Sequence, residues 1–146
     1  MKHLFFYFFL LMITTGCESQ KNNTSPEIPY TVAQRYFVKN NFDGKFSNPI
    51  TSQTEFNRIF GAAAVMGKDG KPTSIDFDKE FVVAVIGKSN SNAEEFQPLS
   101  VNKTGEELEV TYQRTAKGFQ TYTSTPLLLL VLKNKYLGKV KLTEKN

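Results

Sequence analysis

Two stretches of this chain are apolar at every position: FVVAVI at residues 81–86 and LLLLVL at residues 127–132. Successive side chains of a strand point to opposite faces, so a strand lying on a surface alternates apolar and polar residues. A strand with no polar position is buried on both faces and is therefore central in its sheet. Both runs are too short for a core helix of ordinary length. At 146 residues the chain forms one domain, large enough to bury a core without disulfides or metal.

The segments around these runs supply further strands and one helix. YTVAQRYFV, residues 30–38, is aromatic and β-branched and reads as a first strand. Asp43-Gly44 marks a turn, and Pro49 breaks the chain. SQTEFNRIF, residues 52–60, is the best helix: Ser52 and Glu55 match a capping box, and Phe56, Ile59, Phe60 and Ala63 recur at helical spacing. The expected role of that apolar face is packing on the protein's own sheet. Residues 67–72, GKDGKP, form a loop with too few carboxylates for an EF-hand.

Before the first central strand, Ile75 and Phe77 alternate with Asp76 and Asp78, which predicts that the strand begins near Ile75. Asp76, Asp78 and Glu80 suggest either a cation site or the polar side of that strand. Two aspartates two apart on a strand lie about 6.5–7 Å apart between Cα atoms, a spacing open to paired acid catalysis and equally to two solvated residues.

Residues 88–97 read as a polar loop. Leu99 and Val101 alternate with polar neighbours, Thr104-Gly105-Glu106 turns the chain, and Leu108, Val110 and Tyr112 alternate again, which predicts a hairpin with one face inward. Residues 115–126 read as a second long polar loop, carrying Phe119 and Tyr122. The last strand sets Val140 and Leu142 against Lys139 and Lys141. Its lysines suit a solvated edge strand, and nothing there has the charge or the interleaved aromatics of a nucleic-acid surface. No repeat of 20 to 50 residues is present. The expected class is α+β, mainly β: an antiparallel sheet or sandwich of about six or seven strands with one packed helix.

The N-terminus is of a different kind. One lysine precedes the ten-residue apolar run LFFYFFLLMI, and small residues follow it. This is the pattern of a secretory signal, and the run is too short to span a bilayer. Thr15-Gly16-Cys17 resembles a bacterial lipobox, with Thr14 where leucine is usual. The expected organisation is a lipoprotein signal peptide over residues 1–16, a lipid-carrying Cys17, a flexible tether over residues 17–29 and a single β-rich domain over residues 30–146. An ordinary secreted protein cut near Gly16 is the alternative. The tether has no acidic cluster, which favours a periplasm-facing protein anchored to the membrane of a bacterial cell envelope.

This organisation excludes much chemistry. His3 and Cys17 are the only histidine and the only cysteine. The expected mature chain has no imidazole and no free thiol, so Ser-His-Asp and Cys-His catalysis and ordinary zinc, haem or iron–sulfur ligation are excluded. No phosphate-binding glycine motif is present. No cofactor and no metal are expected. Losing Lys2 leaves 17 basic against 14 acidic residues, a mild +3 that points to no particular partner.

From Ile50 onward, ITSQTEFNRIF, IDFDKEFVVAVIG and STPLLLLVLKNKYLGKVKL follow one another in an order that resembles the C-terminal domain of the PrcB family of protease complex subunits, over roughly two thirds of the chain. Where family members place a Gly-Gly pair after the first central strand, this chain has KSNSNAEEF. The resemblance implies a non-enzymatic accessory module on an envelope lipoprotein, with a protein partner, a protease among the candidates. Contact is expected through the two long loops, with Phe119 and Tyr122 as aromatic anchors; ordinary strand or core positions are the plain alternative. A small-ligand or glycan-binding lipoprotein is the competing function, resting on 13 Phe and 6 Tyr but no Trp. A carboxylate enzyme using Asp76 and Asp78 is the third.

Overall fold

The computed structural model describes residues 27–63, 65–67 and 70–146. The signal, Cys17 and most of the tether lie outside the described residues. The order of elements is β1 (Thr31–Val32), β2 (Tyr36–Val38), α1 (Gln53–Ile59), β3 (Phe60–Ala62), β4 (Glu80–Ile86), β5 (Asn90–Thr104), β6 (Glu107–Ser124), β7 (Leu127–Lys133), a 3-10 turn (Asn134–Tyr136) and β8 (Lys139–Lys145). Among the described residues the protein is α+β and mainly β, with mostly antiparallel strand pairing and one α-helix, as the sequence predicts.

The two wholly apolar runs pair with each other. β4 and β7 run antiparallel from Phe81 opposite Leu132 to Ile86 opposite Leu127. Each sends alternate side chains into two separate cores. Phe81, Val83 and Val85, with Leu128, Leu130 and Leu132, enter one; Val82 and Ala84, with Leu129 and Val131, enter the other. The first core is closed by Phe96, Val101, Leu108, Val110 and Tyr112 from β5 and β6, together with Ile28. The second is closed by Ile50, by Phe56 and Ile59 of α1, and by Phe60 and Ala33. The molecule is thus three layers deep: a β5–β6–β8 sheet, the β1–β7–β4 sheet, then the helix with a β2–β3 ribbon. Packing reaches back to Ile28, whose amide donates to Val101 O at 2.8 Å.

β7 is flanked by β1 and β4, but among the described residues no second strand pairs with β4. Its open edge is sealed by the segment around Pro49. Ile50 and Val82 exchange both backbone hydrogen bonds, at 2.8 and 2.9 Å. Two residues along, the Asn48 side chain acts as a further rung: its Nδ2 donates to Ala84 O at 2.8 Å and its Oδ1 accepts from Ala84 N at 3.0 Å. A primary amide carries the donor and acceptor that a peptide group would supply.

Residues 80–133 form one long antiparallel hairpin folded back upon itself. Beyond Ile86 and Leu127 the pairing resumes at Asn90 with Ser124 and continues to Thr104 with Glu107. The ribbon bends between these two halves, so that the inner face of β5 and β6 covers the apolar face of β4 and β7. At the fold the chain packs tightly: a Cβ on Gly87 would lie 2.7 Å from Pro126 Cγ and 3.0 Å from Phe96 Cζ. The bend is built from register breaks, between Asn90 and Asn92, between Asn92 and Glu94, and at Leu99 beside Pro98. Such bulges bend a strand and increase its twist. Gly118, with φ of 112°, takes the left-handed position at one of them. β8 then returns parallel to β6, from Glu107 beside Lys139 to Gln113 beside Lys145.

Four expectations are corrected. The segments at 88–97 and 115–126 are not loops: each pairs with the other, and their mostly polar residues, with Phe96 alone reaching the core, hide the strand. The strand expected from Ile75 begins at Glu80, because Asp76 O accepts from both Lys79 N and Glu80 N and turns the chain there. The first strand, expected over 30–38, is split at Arg35, whose φ of 65° sends β1 to β7 and β2 to β3. The helix stops at Ile59; Phe60 is already extended and opens β3, so Ala63 lies outside the helix. Its N-cap is as expected, with Ser52 Oγ accepting from Glu55 N at 3.2 Å.

Replacing Asn48 with alanine leaves the Ala84 amide and carbonyl of a buried strand without their partners. The expected cost is about 1–3 kcal/mol, read by urea denaturation; a loss below about 0.5 kcal/mol, the scatter of ordinary surface substitutions, would contradict the rung.

Candidate functional site

The folded hairpin puts its bend at one extremity, and the sequence's candidate anchors stand on it. Phe119 is 81% exposed and Tyr122 is 66% exposed. Single exposed apolar residues are common on proteins, but these are two large rings within four residues. Phe119 pairs with Asn92, and the next partner pair is Ser124 with Asn90, so residues 120–123 stand opposite Ser91 alone. The excess length pushes this part of β6 into a crest. Asn90 steadies the facing strand: its Oδ1 accepts from Asn92 N at 2.7 Å and its Nδ2 donates to Lys88 O at 3.0 Å. Gln120 Nε2 donates to Ser124 Oγ at 2.6 Å across the crest.

The base of the crest is fixed by Arg114, which the sequence reading did not single out. Its guanidinium holds Glu144 through Nε and Nη2, both at 3.0 Å, and reaches Glu94 at 3.5 Å. It also lies over the Phe96 ring, 5.3 Å from the centroid. A planar fork that grips one carboxylate twice and stacks on a ring is a task for arginine rather than lysine. Tyr112 OH donates to the same Glu144, and burial raises its phenol above the ordinary range. Glu144 is twenty or more residues from each of these partners, so no sequence pattern reveals the cluster.

Asp76 and Asp78 do not form a pair of acids on a strand. Asp76 Oδ1 accepts from Asp78 N at 3.2 Å, and Asp76 Oδ2 pairs with Lys79 at 3.1 Å. Glu80 takes the Asp76 amide on one oxygen and Lys133 on the other, at 3.1 and 2.7 Å. These groups stitch the turn to the start of β4. Among the described residues no group of three or more His, Cys, Asp or Glu is placed to hold a metal ion.

A cleft of about 680 Å³ lies at the end opposite the bend. Ser47, Pro49 and Thr51 form one wall, Lys103 and Glu106 another, and Leu137 to Lys139 the third. Lys103 Nζ is already held by Leu137 O at 2.8 Å. No aromatic ring lines it, so it offers no stacking platform for a sugar.

Lysine 133 and the Asp76 amide hold the Glu80 carboxyl below its usual range, and Lys79 does the same for Asp76. A carboxyl depressed by folding stabilises the folded state above its unfolded value of about 4.3 for Glu, and this contribution is lost as pH falls through the folded value. Glu80→Gln should therefore flatten the fall in Tm below about pH 4.5 while lowering Tm at pH 7; an unchanged acid limb would contradict the Glu80–Lys133 coupling. Comparison of the chain with protein-family models, with curated proteins and with solved structures returns no match.

Proposed function

We propose that this protein is a non-enzymatic, lipid-anchored module of the bacterial cell envelope that binds a protein partner through the crest of its folded hairpin. The observation that carries this reading is the exposure of Phe119 and Tyr122 together on a crest braced by Arg114 and Glu144. Aromatic side chains on a braced scaffold supply large contact area at low entropic cost, and such residues dominate the energetics of interfaces. The lipobox-like Thr15-Gly16-Cys17 supports anchoring, and the missing imidazole and thiol of the expected mature chain speak against catalysis. The order of motifs that resembles the PrcB family favours an accessory role beside a protease.

Binding of a small ligand stands second and rests on the 680 Å³ cleft, whose lining of hydroxyls, two lysines and Glu106 beside Leu137 and Pro49 suits a polar ligand with a modest apolar part.

Crosslinking in intact cells followed by capture of the full chain tests the first reading. Reproducible recovery of one partner, lost on Phe119→Ala with Tyr122→Ala, is expected. No reproducible partner, or one retained by the double variant, would remove the crest from the account.

A further inference from the structure

The β5–β6–β8 sheet ends in two edges that differ in kind. The free edge of β5 is irregular: its register shifts beside Pro98, which has no amide hydrogen, and Ile28 takes its Val101 carbonyl. The free edge of β8 is regular. Its seven residues pair with β6 without a bulge, from Glu107 beside Lys139 to Gln113 beside Lys145. Lys139 N donates to Glu106 O at 2.7 Å, so Lys139, Lys141, Thr143 and Lys145 direct their backbone groups at β6. Alternate residues of a strand in a parallel pair face opposite edges, and Val140, Leu142 and Glu144 therefore point their amides and carbonyls outward. Among the described residues no strand takes them up.

The two faces of this edge differ in chemistry. Val140 and Leu142 share a face with Leu108 and Val110, which are fully buried. Leu142 is nevertheless 39% exposed, so the apolar inner face of the sheet runs on past its cover. The opposite face carries Lys139, Lys141 and Lys145. Lys141 pairs with Glu107 and Glu109 at 3.6 and 3.4 Å, while Lys139 and Lys145 make no ion pair among the described residues. Both of these glutamates stand on β6, one strand further in, so a segment approaching from outside meets the lysines first. Edge lysines turn away apolar and basic strands. They complement a strand that brings carboxylates to the same face.

We propose that the open edge of β8 is a docking site for an extended acidic segment of a protein partner, which adds antiparallel as a further strand of the sheet. Residues of that segment opposite Val140 and Leu142 are apolar and close over the exposed flank of Leu142. The alternate residues are Asp or Glu and face Lys139 and Lys145. Ladder hydrogen bonds to Val140, Leu142 and Glu144 supply affinity, and the alternation of side chains supplies selectivity. At about 3.3 Å per residue β8 offers roughly 20 Å of edge, the length of an ordinary strand. Charge argues against a second copy of the chain as occupant. Its own β8 would set lysine against lysine, and Glu94 and Glu95 on its β5 edge are already held by Arg114 and Lys117. The site is separate from the crest, and its test does not depend on the crest reading.

The capped peptide EVEVEVE, added to detergent-extracted full-length protein, tests this. It should bind and slow hydrogen exchange at the Val140 and Leu142 amides, and its counterpart KVKVKVK should not. Methylating the valine nitrogens of the peptide removes the donors that face β8 and should abolish binding; methylating the inner glutamate nitrogens, which face away, should leave it. Lys139→Glu with Lys145→Glu should weaken the acidic peptide about tenfold and admit the basic one, with circular dichroism and Tm showing that the variant is folded. The methylated peptides make the same test on the wild-type chain. No binding of EVEVEVE, or equal binding of the two peptides, would overturn the proposal. Binding that survives valine methylation would place the acids in the neighbouring cleft, which Lys139 also lines, and overturn it too. Dimerisation of the chain alone that protects the same amides would give the edge to a second copy, with the same consequence.

Discussion

Strand β4 and strand β7 are apolar on both faces, and every other element answers to that condition. A strand pair of this kind exposes two apolar surfaces, each of which has to be covered. The chain covers one with its own continuation, by folding the β5–β6 half of the hairpin back over Phe81, Val83, Leu128, Leu130 and Leu132. It covers the other with α1 and the aromatic group of Phe56, Phe60, Phe77 and Tyr36, whose rings meet Phe56 edge-on or tilted at centroid distances of 4.9 to 5.6 Å. Such contacts add to the burial of area by fixing ring geometry. The remaining exposure, the outer edge of β4, is closed by the backbone of Ile50 and the amide of Asn48.

The crest follows from this solution. A ribbon that folds back has to bend, and bending is accomplished by bulges that leave extra residues on the longer strand. Those extra residues are 120–123, and they lift Tyr122 beside Phe119 into solvent. The candidate surface is therefore a by-product of burying the central strands, held at its base by the Arg114–Glu144 pair where β8 ends.

The parts legible in the sequence were those set by burial or by local chemistry. Continuous apolar runs marked β4 and β7, alternation marked the Val101–Tyr112 hairpin, and Ser52 marked the start of α1. Residues 88–97 and 115–126 read as loops because this part of the ribbon is mostly polar and, Phe96 apart, buries no large apolar side chain whose period could be detected. The early alternation at Ile75 to Asp78 misled for the opposite reason: Asp76 bonds its own neighbouring backbone and turns the chain, a competition that aspartate often wins. Phe119 and Tyr122 were visible as aromatics in a polar segment. Their support was not, since Arg114, Glu144 and Glu94 meet only through strand pairing. The side-chain rung at Asn48 was equally hidden, because its partner Ala84 lies 36 residues away.

Site-resolved native-state hydrogen exchange tests the central claim most directly. If β4 and β7 form the doubly buried centre, the amides of Val82, Val83, Leu129 and Leu130 exchange only through global unfolding, with protection that tracks the stability measured in urea. The amides of Thr121 and Tyr122 on the crest exchange orders of magnitude faster. Exchange of the β4 and β7 amides at rates close to those of the crest would contradict the account.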